Sequence, residues 1–196
     1  IFLRMTDNCK FEGTLTESTE REDKQFAFKA PASYANILTA GSVEAVNTAN
    51  NHSHDYGEES FNDTLKALDT ANILHFGYDE TAVTEVKGVK VGLVGIYELN
   101  DHLGREEQLK QNIAKVKQDG AQLIVVIFHW GNEKEEVPDE NQKTLGHLAI
   151  DEGADLVCGH HHMFCRESKN IKVRISYTAL EISALVEMHI QVIWTL

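Results

Sequence analysis

The stretch that decides the fold is "AQLIVVIFHWG", residues 121–131. Six consecutive apolar residues, Leu123 to Phe128, are mostly β-branched, which favours a strand buried on both faces. The run is far shorter than the roughly 20 residues that a membrane-spanning helix needs. We therefore predict a central strand of a sheet inside a globular domain, with His129 at its carboxyl end.

Apolar runs and helical patterns alternate on both sides of this strand. Val43 to Ala49 predicts a short strand, residues 81–99 predict two strands joined at Lys87-Gly88, and Leu156 to Cys158 predict a last strand. Helices are predicted in three places: through Phe61, Leu65, Leu68 and Ile73; through Leu109, Ile113 and Val116, ending at Asp119-Gly120; and over 140–151. The order predicts an α/β fold with a mixed sheet covered by helices.

Length, composition and charge limit the classes of function that the protein can have. The 196 residues, 42% of them hydrophobic, suit one globular domain. A net charge of -13 argues against nucleic acid or an anionic membrane surface as a partner. The three cysteines, Cys9, Cys158 and Cys165, form neither a disulfide framework nor a zinc-finger pattern. We expect the chain, as given, to be soluble.

Polar clusters follow three of the predicted strands. Asn50, Asn51 and His52 come after the first, His129 ends the third, and 160–162 are three histidines after the last. Ligand sites of open α/β sheets form at such carboxyl ends. Imidazoles with amide or carboxylate oxygens suit divalent Mn, Fe or Zn, so we predict a metal site, although a single histidine is more often a surface or core residue.

Two other site types fit less well. Ser53 stands in no GxSxG elbow, which disfavours serine hydrolase chemistry. The glycines of "GVKVGLVG", residues 88–95, do not form a GxGxxG dinucleotide motif, so we expect them to serve packing.

Seven segments of the chain resemble the CapA/PgsA family of capsule-synthesis proteins, which make poly-γ-glutamate and have a metallophosphatase-like (calcineurin-like) fold. They occur in the family's order and spacing: "FEGTLT", "FKAPASYANILTAG", "ANNHSHDYG", "TLKALDTANILHFG", "VKGVKVGLVGI", "VVIFHWGNE" and "GADLVCGHH". The resemblance covers roughly residues 11–161. It implies a β sandwich flanked by helices, divalent metal ions at the strand ends, two of them in the complete protein, and an extracellular location with an anchoring N-terminal segment that is missing here.

The resemblance also implies site residues. Glu12, Asn51, His129 and His161 match metal-ligand positions, and His52 matches the catalytic histidine beside them. We expect His52 to be a proton donor and not a ligand. Asp55 and Glu133 fall on recurrent acidic positions of the family that support the ligands. We assign Asp55, together with His52, to the catalytic residues.

Both ends of the chain depart from the family pattern. The leading strand with its aspartate ligand is absent, and Met163 replaces the last histidine of "HPH", so we expect a domain at 1–161 that is incomplete at both ends and holds metal weakly. Shifting the reading frame of a permitted back-translation of residues 1–10 and 162–196 restores family-like strings. We interpret 162–196 as a frameshifted tail, with a genuine terminal strand pair as the alternative.

Three functions follow from these residues. The first is a capsule or poly-γ-glutamate biosynthesis protein with a divalent-metal site, whose partners are polymer-synthesis membrane proteins or an anionic polymer or phosphoester substrate. The second is a general metal-dependent phosphoesterase. The third is a non-catalytic scaffold with a vestigial site. If the protein is an enzyme, the expected chemistry is metal-dependent phosphoester hydrolysis.

Overall fold

A computed structural model describes residues 13–19, 23, 25–133, 135 and 137–161, which form a mixed α/β structure. The strands are β1 (Thr14–Leu15), β2 (Lys29–Ala30), β3 (Ala45–Asn47), β4 (Leu74–Phe76), β5 (Thr81–Val86), β6 (Val89–Tyr97), β7 (Leu123–His129) and β8 (Leu156–His160). The α-helices are α1 (Ala35–Ala40), α2 (Gly57–Thr70), α3 (Glu106–Gln118) and α4 (Glu140–Asp151). Short 3-10 helices lie at Ala32–Tyr34 and His102–Arg105.

The largest sheet has four strands in the order β5-β6-β7-β8. β5 and β6 form an antiparallel hairpin whose turn is Lys87-Gly88, as predicted, and both turn residues have positive φ. β6, β7 and β8 are parallel to one another, with α3 and α4 as the connections between them. The predicted mixed sheet is therefore confirmed, and three parallel strands end at one edge.

Alternate residues of β7 enter two separate cores, because successive side chains of a strand point to opposite faces. Ile124, Val126 and Phe128 pack with α3 and α4 in one core. Val125 and Ile127 pack on the other face with Phe76 of β4. This two-sided burial explains why the strand reads as a continuous apolar run.

A second, two-stranded sheet covers that other face. β3 and β4 are parallel and are joined through α2, so they form a β-α-β unit with the loop 48–56 at the end of β3. The predicted strand Val43 to Ala49 is shorter in the structure because Thr48 and Ala49 turn away into this loop, and Thr48 N–H still bonds to Phe76 O. β8, in contrast, runs two residues beyond Cys158, because Gly159 and His160 pair with Phe128 and His129.

Some predictions fall outside the described residues. These are the predicted frameshift of residues 1–10, the proposed ligand role of Glu12 and the interpretation of residues 162–196, and they remain predictions. The boundary at residue 161 is likewise a prediction. Within the part of the chain that the structure describes, none of the helices has both the length and the apolar character that crossing a membrane requires.

Candidate functional site

Three aromatic side chains form a row across the ends of the parallel strands. The strand register pairs Tyr97 with His129, and His129 with His160. The His129 ring centroid lies 5.8 Å from that of Tyr97 and 4.7 Å from that of His160. His161, the next residue after β8, brings its ring to 4.5 Å from His129. Residues far apart in sequence thus meet at one edge of the sheet, as the strand-end pattern predicted.

His129 is the most deeply buried of these side chains. It is fully buried, its Nδ1 lies 3.0 Å from Nδ1 of His160, and its Nε2 is buried with no hydrogen-bond partner among the described residues. Burial, with smaller contributions from His160, His161 and His52, lowers the pKa of His129 to about 2. Burial likewise lowers the pKa of His160 to about 4, with His161 contributing. Both imidazoles are therefore neutral near pH 7.

The loop after β3 is held by its own backbone and by Tyr78. Asn50 Oδ1 accepts a hydrogen bond of 2.8 Å from His52 N–H, and the Asn50 carbonyl accepts from the hydroxyls of Ser53 (2.7 Å) and Tyr78 (3.2 Å). Desolvation raises the pKa of Tyr78, so its hydroxyl stays protonated and can donate. These contacts fix the backbone on both sides of Asn51, whose side chain is half-buried.

His52 forms a dyad with a buried carboxylate. His52 Nδ1 lies 2.8 Å from Asp55 Oδ2, and the Asp55 side chain is completely buried whereas that of His52 is 14% exposed. The same Asp55 oxygen accepts a 2.8 Å hydrogen bond from Phe28 N–H, and the Phe28 ring meets the imidazole edge-on at 4.8 Å. Asp55 therefore orients His52 through Nδ1, so that Nε2 is the ring nitrogen not engaged by this carboxylate.

A polar cleft of about 600 Å³ opens beside His161. Its lining residues are Leu99, His102, Gly131, Asn132, Glu133, Asp139, Asn141 and His161. His102 and His161 both have positive backbone φ, 47° and 96°, a conformation that is costly for residues other than glycine. His102 Nδ1 lies 2.6 Å from the buried Glu98 carboxylate, which holds the imidazole at the cleft wall.

The predicted site residues are distributed as follows. His129 and His161 come together, and His52 lies within electrostatic reach of His129. Asp55 supports His52, and Glu133 is exposed and lines the cleft. Within the described residues, no three His, Cys, Asp or Glu side chains gather closely enough to hold a metal ion.

Sequence reasoning missed three contributors to the site. Asn47 contacts His160, Tyr97 flanks His129, and Tyr78 holds the Asn50 loop. Asn47 carried a usable signal, because it is the last residue of a strand and opens the polar stretch "NTANNHSHDYG". Nothing in the local sequence distinguishes Tyr97 or Tyr78 from an ordinary core aromatic residue.

Comparison with known proteins identifies relatives of the chain. A family model described as bacterial capsule synthesis protein PGA_cap matches residues 6–174. A capsule biosynthesis protein CapA of Bacillus anthracis is 29% identical over 164 residues, which cover 72% of this chain and 40% of the relative. A PGA biosynthesis protein CapA of Bacillus subtilis strain 168 is 27% identical over 176 residues, covering 77% of this chain and 45% of the relative. The chain thus spans less than half the length of these curated relatives.

Proposed function

The chain belongs to the bacterial capsule synthesis family PGA_cap, and we propose that it contributes to poly-γ-glutamate biosynthesis through a divalent-metal site that hydrolyses a phosphoester. One observation carries the proposal: the fully buried His129 Nε2, at the carboxyl ends of parallel strands, has no hydrogen-bond partner among the residues that the structure describes. A buried polar nitrogen that lacks a partner costs stability and needs an explanation such as a missing ion or ligand.

The donor atoms around His129 suit a divalent ion. His129 and His161 offer imidazole nitrogens, and Asn51 offers an amide oxygen, a donor set that borderline ions of the Mn, Fe and Zn type accept. Glu12 is a further proposed ligand, from the family resemblance. When bound, such an ion supplies Lewis-acid polarisation of a phosphoryl oxygen.

His52 would handle the proton of the leaving group. Its Nδ1–H donates to the Asp55 carboxylate, so the second proton of the imidazolium sits on Nε2 and can be given to a departing oxygen. Through this hydrogen bond, Asp55 fixes the orientation of the imidazole ring. We therefore place His52 and Asp55 in proton transfer and not in metal binding.

The finer fold that we propose is a metallophosphatase-like sandwich. The β3-β4 sheet packs on one face of the larger sheet while α3 and α4 cover the other, and the proposed site lies at the strand ends. This layering supports the assignment, because two facing sheets flanked by helices are what the family resemblance implies.

The test combines metal analysis with an activity assay. We expect purified protein to bind Mn²⁺ or Zn²⁺ only weakly, and we expect this binding and any hydrolysis of bis-p-nitrophenyl phosphate to be lost in His129→Ala. His52→Gln should retain the ion but lose about 100-fold or more in rate, because general acid catalysis is typically worth that much. Equal metal content in wild type and His129→Ala would overturn the assignment of the site.

A cellular experiment tests the capsule role separately. In the source strain, deletion of the gene should abolish surface poly-γ-glutamate, and re-expression of the wild type but not of His129→Ala should restore it. We propose polymer-synthesis membrane proteins as partners, on the extracellular face, and expect them to be crosslinked to the tagged protein in these cells. Unchanged polymer after deletion would exclude this role.

A second candidate is a scaffold that binds polymer without turnover. It is favoured by the observation that no cluster of three His, Cys, Asp or Glu ligands is found in residues 13–161 as far as they are described. Under this alternative, His129→Ala would leave polymer production intact, whereas substitutions on the cleft wall at His102 would reduce it.

A further inference from the structure

The cleft beside His161 contains a second histidine that is held by a buried carboxylate. His102 Nδ1 lies 2.6 Å from Glu98 Oε1, and the Glu98 side chain is fully buried whereas that of His102 is 56% exposed. Because a carboxylate only accepts, Nδ1 carries the proton of this bond, and Nε2 is the ring nitrogen not engaged by Glu98. The pair repeats the arrangement of Asp55 and His52, in which a completely buried carboxylate also holds Nδ1 of a more exposed imidazole.

The buried carboxylate fixes this imidazole relative to the strand ends. Glu98 follows β6, its N–H donates to the His129 carbonyl at 3.0 Å, and its Oε2 accepts from Gly131 N–H at 3.3 Å. The His102 N–H also donates to the Glu98 carbonyl, at 2.8 Å. A buried charge is costly unless it is paired and hydrogen-bonded, and these contacts meet that cost. Their effect is to present an oriented hydrogen-bonding group at the cleft wall.

A second charged group lines the same cleft. Glu98 makes the largest contribution to raising the pKa of His102, and the negative charge of Asp139 raises it further, so Asp139 is within electrostatic reach of the imidazole. Asp139 is the N-cap of α4, and its Oδ1 accepts a 2.8 Å hydrogen bond from Gln142 N–H. The cleft therefore offers an imidazole from the 3-10 helix over His102–Arg105 and a carboxylate from the start of α4.

We propose that this cleft binds the zwitterionic group of an α-amino acid, with the α-carboxylate at His102 and the α-ammonium at Asp139. The proposal rests on the proposed function in taking a γ-linked glutamate chain as the larger ligand. The amino-terminal unit of such a chain keeps both groups on one carbon, and a free amino acid offers the same pair. Interior units keep the carboxylate, but their nitrogen is part of an uncharged amide.

The charge of the protein favours the chain end over the chain interior. A net charge of -13 repels a polyanion, and the exposed carboxylate of Glu133 also lines the cleft. An interior segment would bring only carboxylates to this surface, whereas the amino-terminal unit also brings a positive charge. The cleft volume of about 600 Å³ lies within the range that is usual for small-molecule sites.

NMR titration of ¹⁵N-labelled protein tests the proposal without a metal ion and without turnover. The first probe is the dipeptide γ-glutamylglutamate, and the second is its N-acetyl derivative, which has the same carboxylates but no ammonium. We expect the N-acetyl derivative to bind about 10 to 100 times more weakly, since a hydrogen bond to a charged group typically contributes that factor. Glutamate distinguishes the two sources of the group: affinity equal to that of the dipeptide indicates a free amino acid, and weaker affinity indicates the chain end.

Two substitutions separate the two contacts. His102→Gln and Asp139→Asn should each weaken dipeptide binding about 10-fold or more. Asparagine caps a helix as well as aspartate does, so Asp139→Asn keeps the start of α4. This variant should bind the N-acetyl derivative at least as well as wild type does, because the contact with the ammonium is already missing, and a general loss of structure would not give that result. Glu140→Gln is the matched control: its side chain is 86% exposed and does not line the cleft, so binding should change by less than about 2-fold.

Three results would overturn the proposal. They are the absence of dipeptide binding by the wild type, equal affinity for the dipeptide and its N-acetyl derivative, and equal weakening by Glu140→Gln and Asp139→Asn. Absence of metal binding or of phosphoester hydrolysis would instead refute the proposed function, and it would leave these titrations to decide the proposal for the cleft.

Discussion

Replacement of Asp55 by asparagine tests the support of the proposed proton donor. The carboxylate is fully buried and a single oxygen, Oδ2, accepts from both His52 Nδ1 and Phe28 N–H, each at 2.8 Å. An amide placed in the same position can offer one oxygen and one NH₂ group. If the amide oxygen takes the position of Oδ2, both bonds lose their charge assistance; if the NH₂ group takes it, both donors face another donor.

The cost follows from the number of hydrogen bonds lost. A buried donor left without a partner costs about 1–3 kcal/mol, and a bond to a charged group contributes about 1.5–3 kcal/mol. We expect Asp55→Asn to lower the free energy of unfolding by about 2–3 kcal/mol. With a urea m-value of about 1–3 kcal/mol/M, the midpoint should fall by roughly 0.7–3 M.

Urea unfolding followed by circular dichroism measures the loss, with Asp151→Asn as the matched control. Asp151 is exposed at the end of α4, so the same substitution there should change stability by less than about 0.5 kcal/mol. If Asp55→Asn unfolds at the same urea concentration as wild type, the carboxylate does not hold His52 and Phe28, and the dyad assignment is wrong.

Three further predictions concern other parts of the structure. Gly95→Ala should destabilise the protein by about 1–3 kcal/mol in the same urea assay, because its β-carbon would collide with Asn47 Oδ1. Glu98 raises the pKa of His102 above its usual 6.5. The stabilisation from this pair is therefore complete below about pH 6.5 and is lost as pH rises through the raised pKa. Urea unfolding curves of wild type and His102→Gln should differ at pH 5.5 and converge at pH 9. Burial raises the pKa of Cys158 to about 11, so the native protein has little of the reactive thiolate at pH 8. Iodoacetamide at this pH should therefore label Cys158 much faster in urea than in the native protein, which mass spectrometry measures.

Long apolar segments made the centre of the fold predictable. β7 was predicted to end at His129 and does so, the turn at Lys87-Gly88 is in place, and α4 has the predicted bounds. In each case a local sequence pattern is sufficient to predict the element. These patterns are the continuous apolar run of β7, the pair of turn residues with positive φ, and the capping box on Asp139 where α4 begins.

The remaining elements depend on contacts that no local pattern encodes. β1 and β2 have two residues each and pair with one another, and β4 has three residues, so a window of alternating hydrophobicity cannot detect them. Asn47 gains its role from His160, which is 113 residues away. The sequence could predict which strand ends carry polar residues, but only the register of the strands shows which atoms meet.

The separation between Asn47 and His160 also bears on how the molecule folds. The contact joins the first β-α-β unit to the last strand, and the row from Tyr97 to His160 forms only when three parallel strands have paired. Pairings between distant segments form slowly because the intervening chain must be closed into a loop first. The strand-end edge is therefore expected to be completed late during folding. A small molecule that binds these histidines together would link the first β-α-β unit to the strands of the larger sheet. It would stabilise the folded state through mass action and so slow the separation of these two parts.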